Sequence, residues 1–238
     1  LHTCYSYLPS WDQGGSIGFL AGDEHWLMPK GTGFIDQRIS LNAWEIGRGE
    51  QNNNDPYQNF WDGGNGGTNL WVAIRDCNIF LENINKPLDL QNYERTRWIA
   101  EVKFLKAYYH YYLFMLYGPI PIMDHALKMD DEMTYFPRNT FDQCVDFIVS
   151  DCQYGIDGAL PMIYTNASGT VAESLYGRAT KAAAYALKAR VLLYAASPLF
   201  NGNADYAKFA NEDGTLLFAP KEDSKWGKAA AAAKEAID

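Results

Sequence analysis

Five of the seven tryptophans in this chain, Trp11, Trp26, Trp44, Trp61 and Trp71, lie among its first 71 residues, and Asn52, Asn53, Asn54, Asn59, Asn65 and Asn69 are interleaved with the later ones. A planar indole beside side-chain amides, which both donate and accept hydrogen bonds, is the chemistry that the apolar face and hydroxyls of a sugar require. Asn52 to Pro56 and the run Asp62 to Gly67 are turn-forming, so these groups are carried by loops, where binding groups are commonly displayed. The competing role for each tryptophan is to cover a helix end, because large aromatics in irregular segments often serve as their only core. Trp61 suits that role least, since the glycine-rich run after it packs poorly. Trp71 belongs to the next helix.

Residues suited to covalent or acid–base chemistry are not arranged for it. Gly14 to Gly18 satisfies G-x-S-x-G, but a nucleophile elbow needs a hydrophobic strand before it, and Ser10-Trp11-Asp12-Gln13 is not one. His2, His25, His110 and His125 show no H-E-x-x-H or comparable pairing, and His110 reads as the polar edge of a helix and not as a general base. Met129 to Glu132 reads as a solvated loop and not as a cation site. Cys4, Cys77, Cys144 and Cys152 lack metal-ligand spacing, and Cys144 and Cys152 are about 12 Å apart along one predicted helix, too far for a disulfide. They read as core thiols. Leu1 to Cys4 loosely matches a lipobox, but Thr3 is a poor residue there and no apolar signal core precedes it, so Cys4 reads as an ordinary buried cysteine. The expectation is a protein without catalytic residues, metal or cofactor.

The element that positions the rest is a helix predicted within 94–122. Trp98, Val102, Leu105, Tyr109, Tyr112 and Leu116 recur at spacings of four and three, and Phe104, Tyr108, Tyr111 and Met115 form a second apolar row. Such a helix is buried on both sides and sits between neighbours in an array, with Lys103, Lys106 and His110 as its polar ridge. Gly118, Pro119 and Pro121 stop it. Before it, Trp71, Ile74, Asn78 and Leu81 share a helix face on which Asn78 is the polar member, suited to satisfying backbone groups. After it, Thr140 and Gln143 form a capping box for a helix that turns Phe141, Cys144 or Val145, Ile148 and Cys152 inward. Thr180 caps an alanine-dense helix in which Ala179, Ala182, Ala183, Ala186 and Ala189 let a neighbour approach. A last helix carries Trp226, Ala230, Ala233 and Ile237 on one stripe. Helical hairpins of this kind build tetratricopeptide-like arrays, although the 34-residue repeat signature is absent.

Composition narrows the function classes. Twenty-nine acidic against twenty basic residues give a net charge of −9, which leaves no cationic surplus for a phosphate backbone and disfavours it as a partner, so no nucleic acid is expected. A hydrophobic content of 47% is ample for a core, and no apolar run is long enough to span a membrane as a helix.

Residues 104–122, FLKAYYHYYLFMLYGPIPI, resemble the aromatic helix and its proline-containing exit in the SusD/RagB family. Residues 177–202, GRATKAAAYALKARVLLYAASPLFNG, resemble that family's later helix in the expected order. Residues 71–84, 137–152 and 225–238 are weaker matches, and Gly22 to Trp26 resembles an early acidic-pair motif, although Asp23 also suits a helix cap. The resemblance implies a mainly α, tetratricopeptide-like array over residues 71–238, with residues 1–70 as an irregular, loop-rich layer packed on it. It further implies a fragment lacking a C-terminal part, and a surface-exposed outer-membrane lipoprotein whose N-terminal lipid anchor is not in this chain. The implied function is non-catalytic: binding an oligosaccharide and handing it to a SusC-like TonB-dependent transporter. A peptide ligand, as in RagB-like members, is the alternative, and an intracellular helical-repeat adaptor is the reading without the resemblance. Within this frame the ligand site is placed in residues 44–69, with Trp61 as stacking platform and Tyr57, Asn53, Asn54 and Asn69 as polar contacts.

Overall fold

The computed structural model describes residues 1–9, 45–128, 136–166 and 168–238. Among them the regular structure is helical, and pairing of extended backbone is limited to two isolated antiparallel bridges, Thr165 with Val171 and Ala210 with Leu216. The helices are α1 (His2–Tyr5), α2 (Leu70–Asn83), α3 (Asn92–Tyr117), α4 (Phe141–Tyr154), α5 (Lys181–Ala196) and α6 (Ser224–Ile237). The chain divides into two compact units, one formed by Leu1–Cys4 with Ile74–Asp238 and the other by Tyr5–Ala73.

In the helical unit each element from α3 onward packs on its successor: α3 on α4, α4 on α5, and α5 on α6. α3 ends where expected, at Gly118, whose φ of 74° no β-carbon favours and whose N–H bonds Phe114 O. Val102, Leu105, Tyr109, Leu113 and Phe114 of α3 are fully buried, each such side chain contributing about 1.5–3 kcal/mol on leaving water. The extended segment after α3 is sewn to the residue before α4, since Asn139 N donates to Ile120 O and Ile122 N to Asn139 Oδ1. Asn78 of α2 is buried and donates to Met123 O at 3.0 Å, so the polar member of that face satisfies the backbone of the same segment.

α4 starts on the expected capping box: Thr140 Oγ1 accepts from Gln143 N, and Gln143 Oε1 accepts from Thr140 N. Phe141, Cys144, Val145, Ile148 and Cys152 all face inward. Replacing Thr140 with Ala should cost about 1 kcal/mol. The check is the urea midpoint, which moves down if the cap is as described and stays put if it is not. α4 continues into a π-helical turn, Gly155–Ala159, where Gly158 has φ 122° and Gly155 leaves room for Leu160. There Ile156 and Leu160 pack with Ala100 of α3, with Ala179 just before α5 and with Ala184 of α5, small residues that let the helices close on one another.

Three sequence expectations change. Lys106 and His110 are not a solvent-facing ridge but are buried, Lys106 paired with Asp151 of α4 and His110 bonded to Lys106 O and Met123 N. On α5 the buried face is Ala184, Leu187, Val191 and Ala195, while Ala182 and Ala186 are exposed. On α6 Ala229 and Ala232 are buried, and the Trp226–Ile237 stripe faces outward. Alanine supplies little contrast between faces, so the neighbouring helix, not the periodicity, selects which side is covered.

Candidate functional site

The loop of residues 51–69 lies in the Tyr5–Ala73 unit and is knit largely by its own asparagine, glutamine and aspartate side chains. Asn52 Oδ1 accepts from Asn54 N and Asp55 N. Gln51 brackets the Tyr57 backbone, accepting from its N–H at 2.7 Å and donating to its carbonyl at 3.0 Å. Asn65 Nδ2 donates to Asp55, which ties the Asn53–Asn54 turn to the far side of the loop. A ladder of backbone bonds, Gln58 N to Asn65 O and Asn59 N to Gly64 O, closes the centre. Gly67 lies so close to Asn59 that a β-carbon would meet its carbonyl oxygen at 2.1 Å, so only glycine fits there.

Trp61 stands on this frame. Its N–H and that of Asp62 are held by Asn59 Oδ1, and its ring meets Trp71 edge to face, with centroids 5.0 Å apart and planes at 79°. The residue is 36% exposed, so part of its surface reaches solvent. Asn69 is engaged at both ends: Oδ1 caps α2 by accepting from Val72 N, and Nδ2 donates to Asp62 O. Asn53 and Asn54 are exposed, and among the described residues their side-chain amides make no hydrogen bond. Tyr57 is half-buried. The stretch from Gly49 to Ile74 holds Glu50, Asp55 and Asp62 and not one Lys or Arg. Trp11, Trp26, Trp44, the Gly14–Gly18 pattern, the Asp23–Glu24 pair and Met129 to Glu132 lie outside the described residues.

The helical unit carries two polar clusters that the sequence did not single out. Glu101 of α3 is wholly buried and is gripped by Arg178, Nε to Oε2 at 2.8 Å and Nη2 to Oε1 at 2.6 Å, with Arg97 at 3.8 Å. Both guanidiniums lie over the Tyr164 ring. In the second cluster Asp151 of α4 is held by Lys103 at 2.8 Å and Lys106 at 3.4 Å. Beside it, His110 Nδ1–H donates to Lys106 O and Nε2 accepts from Met123 N. Burial, with the Lys106 charge adding, pushes the His110 pKa down to about 4, so the ring is neutral and both nitrogens are used. Both clusters are enclosed ion pairs that join helices, and neither presents a general base to solvent. The signal for the first was present, a glutamate within an apolar helix four residues after an arginine, but its main partner is 77 positions away.

No group of three or more His, Cys, Asp or Glu side chains suited to a metal occurs among the described residues, and no helix there is long and apolar enough to cross a membrane. The family model for SusD-like proteins, described as starch-binding and associating with the outer membrane, matches residues 32–193, more than half of the chain. The chain belongs to this SusD-like family. Similar proteins include SusD-like protein P25 of Formosa agariphila, 26% identical over 122 residues, which are 51% of this chain and 21% of that protein. The structure of BT4246 shares 37% identity at a TM-score of 0.64, covering 71% of this chain and 28% of that one. Surface glycan-binding protein A from Bacteroides uniformis, at 21% identity, TM-score 0.53 and coverage of 84% and 36%, shares the fold. The SusD-like chain described here therefore spans less than a third of the length of P25 and BT4246.

Proposed function

We propose that this SusD-like chain is part of a non-catalytic, surface-exposed glycan-binding protein, and that the 51–69 loop binds a neutral oligosaccharide. The observation that carries this reading is Trp61, 36% exposed and met edge-on by Trp71, on a loop whose Asn53 and Asn54 side-chain amides make no hydrogen bond among the described residues. An aromatic face takes the C–H side of a pyranose, and amides serve its hydroxyls. With Glu50, Asp55 and Asp62 and no cation between Gly49 and Ile74, the loop disfavours sulfated or uronic chains. In this reading Trp61 is the platform, Tyr57, Asn53 and Asn54 are contacts, and Asn69 holds the platform in place. In the same reading residues 71–238 are the helical region and residues 1–70 the loop-rich segment that carries the site.

Family membership supports the wider role: the lipid-anchored protein sits at the outer membrane and passes its ligand to a SusC-like TonB-dependent transporter. The site is tested by calorimetry with neutral oligosaccharides on wild type and Trp61→Ala. Stacking of a ring on an aromatic side chain contributes about 1–3 kcal/mol, so the variant should lose roughly tenfold or more in affinity. Unchanged affinity in a folded variant removes Trp61 from the site, and binding of peptides but no glycan replaces the ligand class. For the partner, a large β-barrel should copurify with the native protein from membranes, and recovery of the protein alone would count against the transporter.

A further inference from the structure

Cys4 and Cys77 occupy the two places where the chain leaves and re-enters the helical unit. Cys4 is the last residue of that unit before the Tyr5–Ala73 excursion, and Cys77 follows the return at Ile74 by three residues. Both are buried, at 2% and 0% exposure. The Cys4 thiol points at the α2 carbonyl of Asp76, the residue bonded to Cys77, at 3.8 Å, and Tyr109 of α3 donates to Cys4 O. The Cys4 thiol thus lies against the backbone that carries Cys77, and interaction between the two thiols holds Cys4 below its ordinary range while it pushes Cys77 up. The remaining cysteines are differently placed. Cys144 donates to Ile120 O, burial raises it to about 11 and Cys152 to about 12, and their spacing on α4 forbids a bond between them.

We propose that Cys4 and Cys77 form a disulfide that closes the mouth of the Tyr5–Ala73 excursion under oxidising conditions. The co-reactant is a low-molecular-weight or protein disulfide. One cysteine thiolate attacks a sulfur of that oxidant, forming a mixed disulfide and expelling one thiolate. The second cysteine thiolate then attacks the protein sulfur of the mixed disulfide and expels the other. The pair loses two electrons and two protons, and the oxidant leaves as two thiols. Local opening of the native packing admits the oxidant to the two buried sulfurs. The bond encloses the excursion that displays the Trp61 loop and restrains its unfolded chain, the circumstance in which a cross-link stabilises most. This inference does not rest on the proposed ligand.

The test equilibrates the purified chain with oxidised glutathione, unfolds it in iodoacetamide without reductant, and maps the digest by mass spectrometry. A peptide pair joining Cys4 to Cys77, two hydrogens lighter than the sum of its parts, with Cys144 and Cys152 alkylated, is the expected result. Cys144→Ser should retain it. Four alkylated cysteines in the wild type overturn the proposal. As a second readout, reductant should lower the thermal midpoint of the oxidised wild type by about 5–10 °C. A midpoint that reductant does not move in the wild type also overturns it. A Cys4→Ser, Cys77→Ser double variant should show no response, and if that variant fails to fold the wild-type map decides alone.

Discussion

Replacing Arg178 with Ala should lower the free energy of unfolding by about 3–5 kcal/mol, the usual cost of leaving one member of a buried ion pair unpartnered. Glu101 is wholly buried, and Arg178 meets it through two parallel N–H to oxygen bonds. Without that guanidinium the carboxylate keeps Arg97 at 3.8 Å, too distant for a hydrogen bond, which places the loss toward the lower end of the range. Arg178→Lys should recover only part, because an ammonium cannot reproduce the fork. Glu101→Gln should be milder, since the Arg178 side chain retains 20% exposure and can turn toward water. Urea unfolding followed by circular dichroism measures all three, and a loss below about 1 kcal/mol for Arg178→Ala would contradict the buried pair.

His110 makes the helical unit sensitive to mild acid. Its folded pKa is about 4 against an ordinary value of 6.5, because burial and the Lys106 charge oppose the imidazolium, with Asp151 and Asp124 only partly offsetting them. Between these values the unfolded chain binds a proton that the folded chain refuses. The contribution is therefore fully present above pH 6.5 and declines as pH falls to about 4. The total is about 3 kcal/mol, from roughly 1.4 kcal/mol per pH unit. Unfolding free energies measured from pH 7 to 4 should fall less steeply for His110→Gln than for wild type, even if the variant starts from a lower value. Parallel pH curves for the two proteins would assign the acid sensitivity to other groups.

The helical elements could be read from the sequence because their signals are local. Thr140 and Gln143, Thr180, and Gly118 before Pro119 act within one turn of chain, and each is found at the end it marks. The two apolar rows of α3 likewise required helices on both sides, and α4 and α5 are there. Asn78 was legible as a buried polar group needing a backbone partner, although the sequence could not name Met123.

What tertiary structure alone decided depends on partners distant in sequence or on faces without contrast. α5 and α6 are so rich in alanine that several faces could be buried at similar cost, and packing chose Ala184 and Ala232 over the stripes that periodicity suggested. Lys106 and His110 read as a polar ridge because Asp151, which draws Lys106 inward, lies on another helix. Arg178 lies outside any helix, just before the Thr180 cap of α5, yet it neutralises a carboxylate 77 positions earlier. In the 51–69 loop, composition places tryptophan and asparagine in one turn-rich stretch. Only the fold sorts amides that brace the turns, such as Asn52, Asn59 and Asn69, from those left open at Asn53 and Asn54. Residue type fixes what a side chain can bond to, but which partner it meets is set by how the backbone is brought together in space.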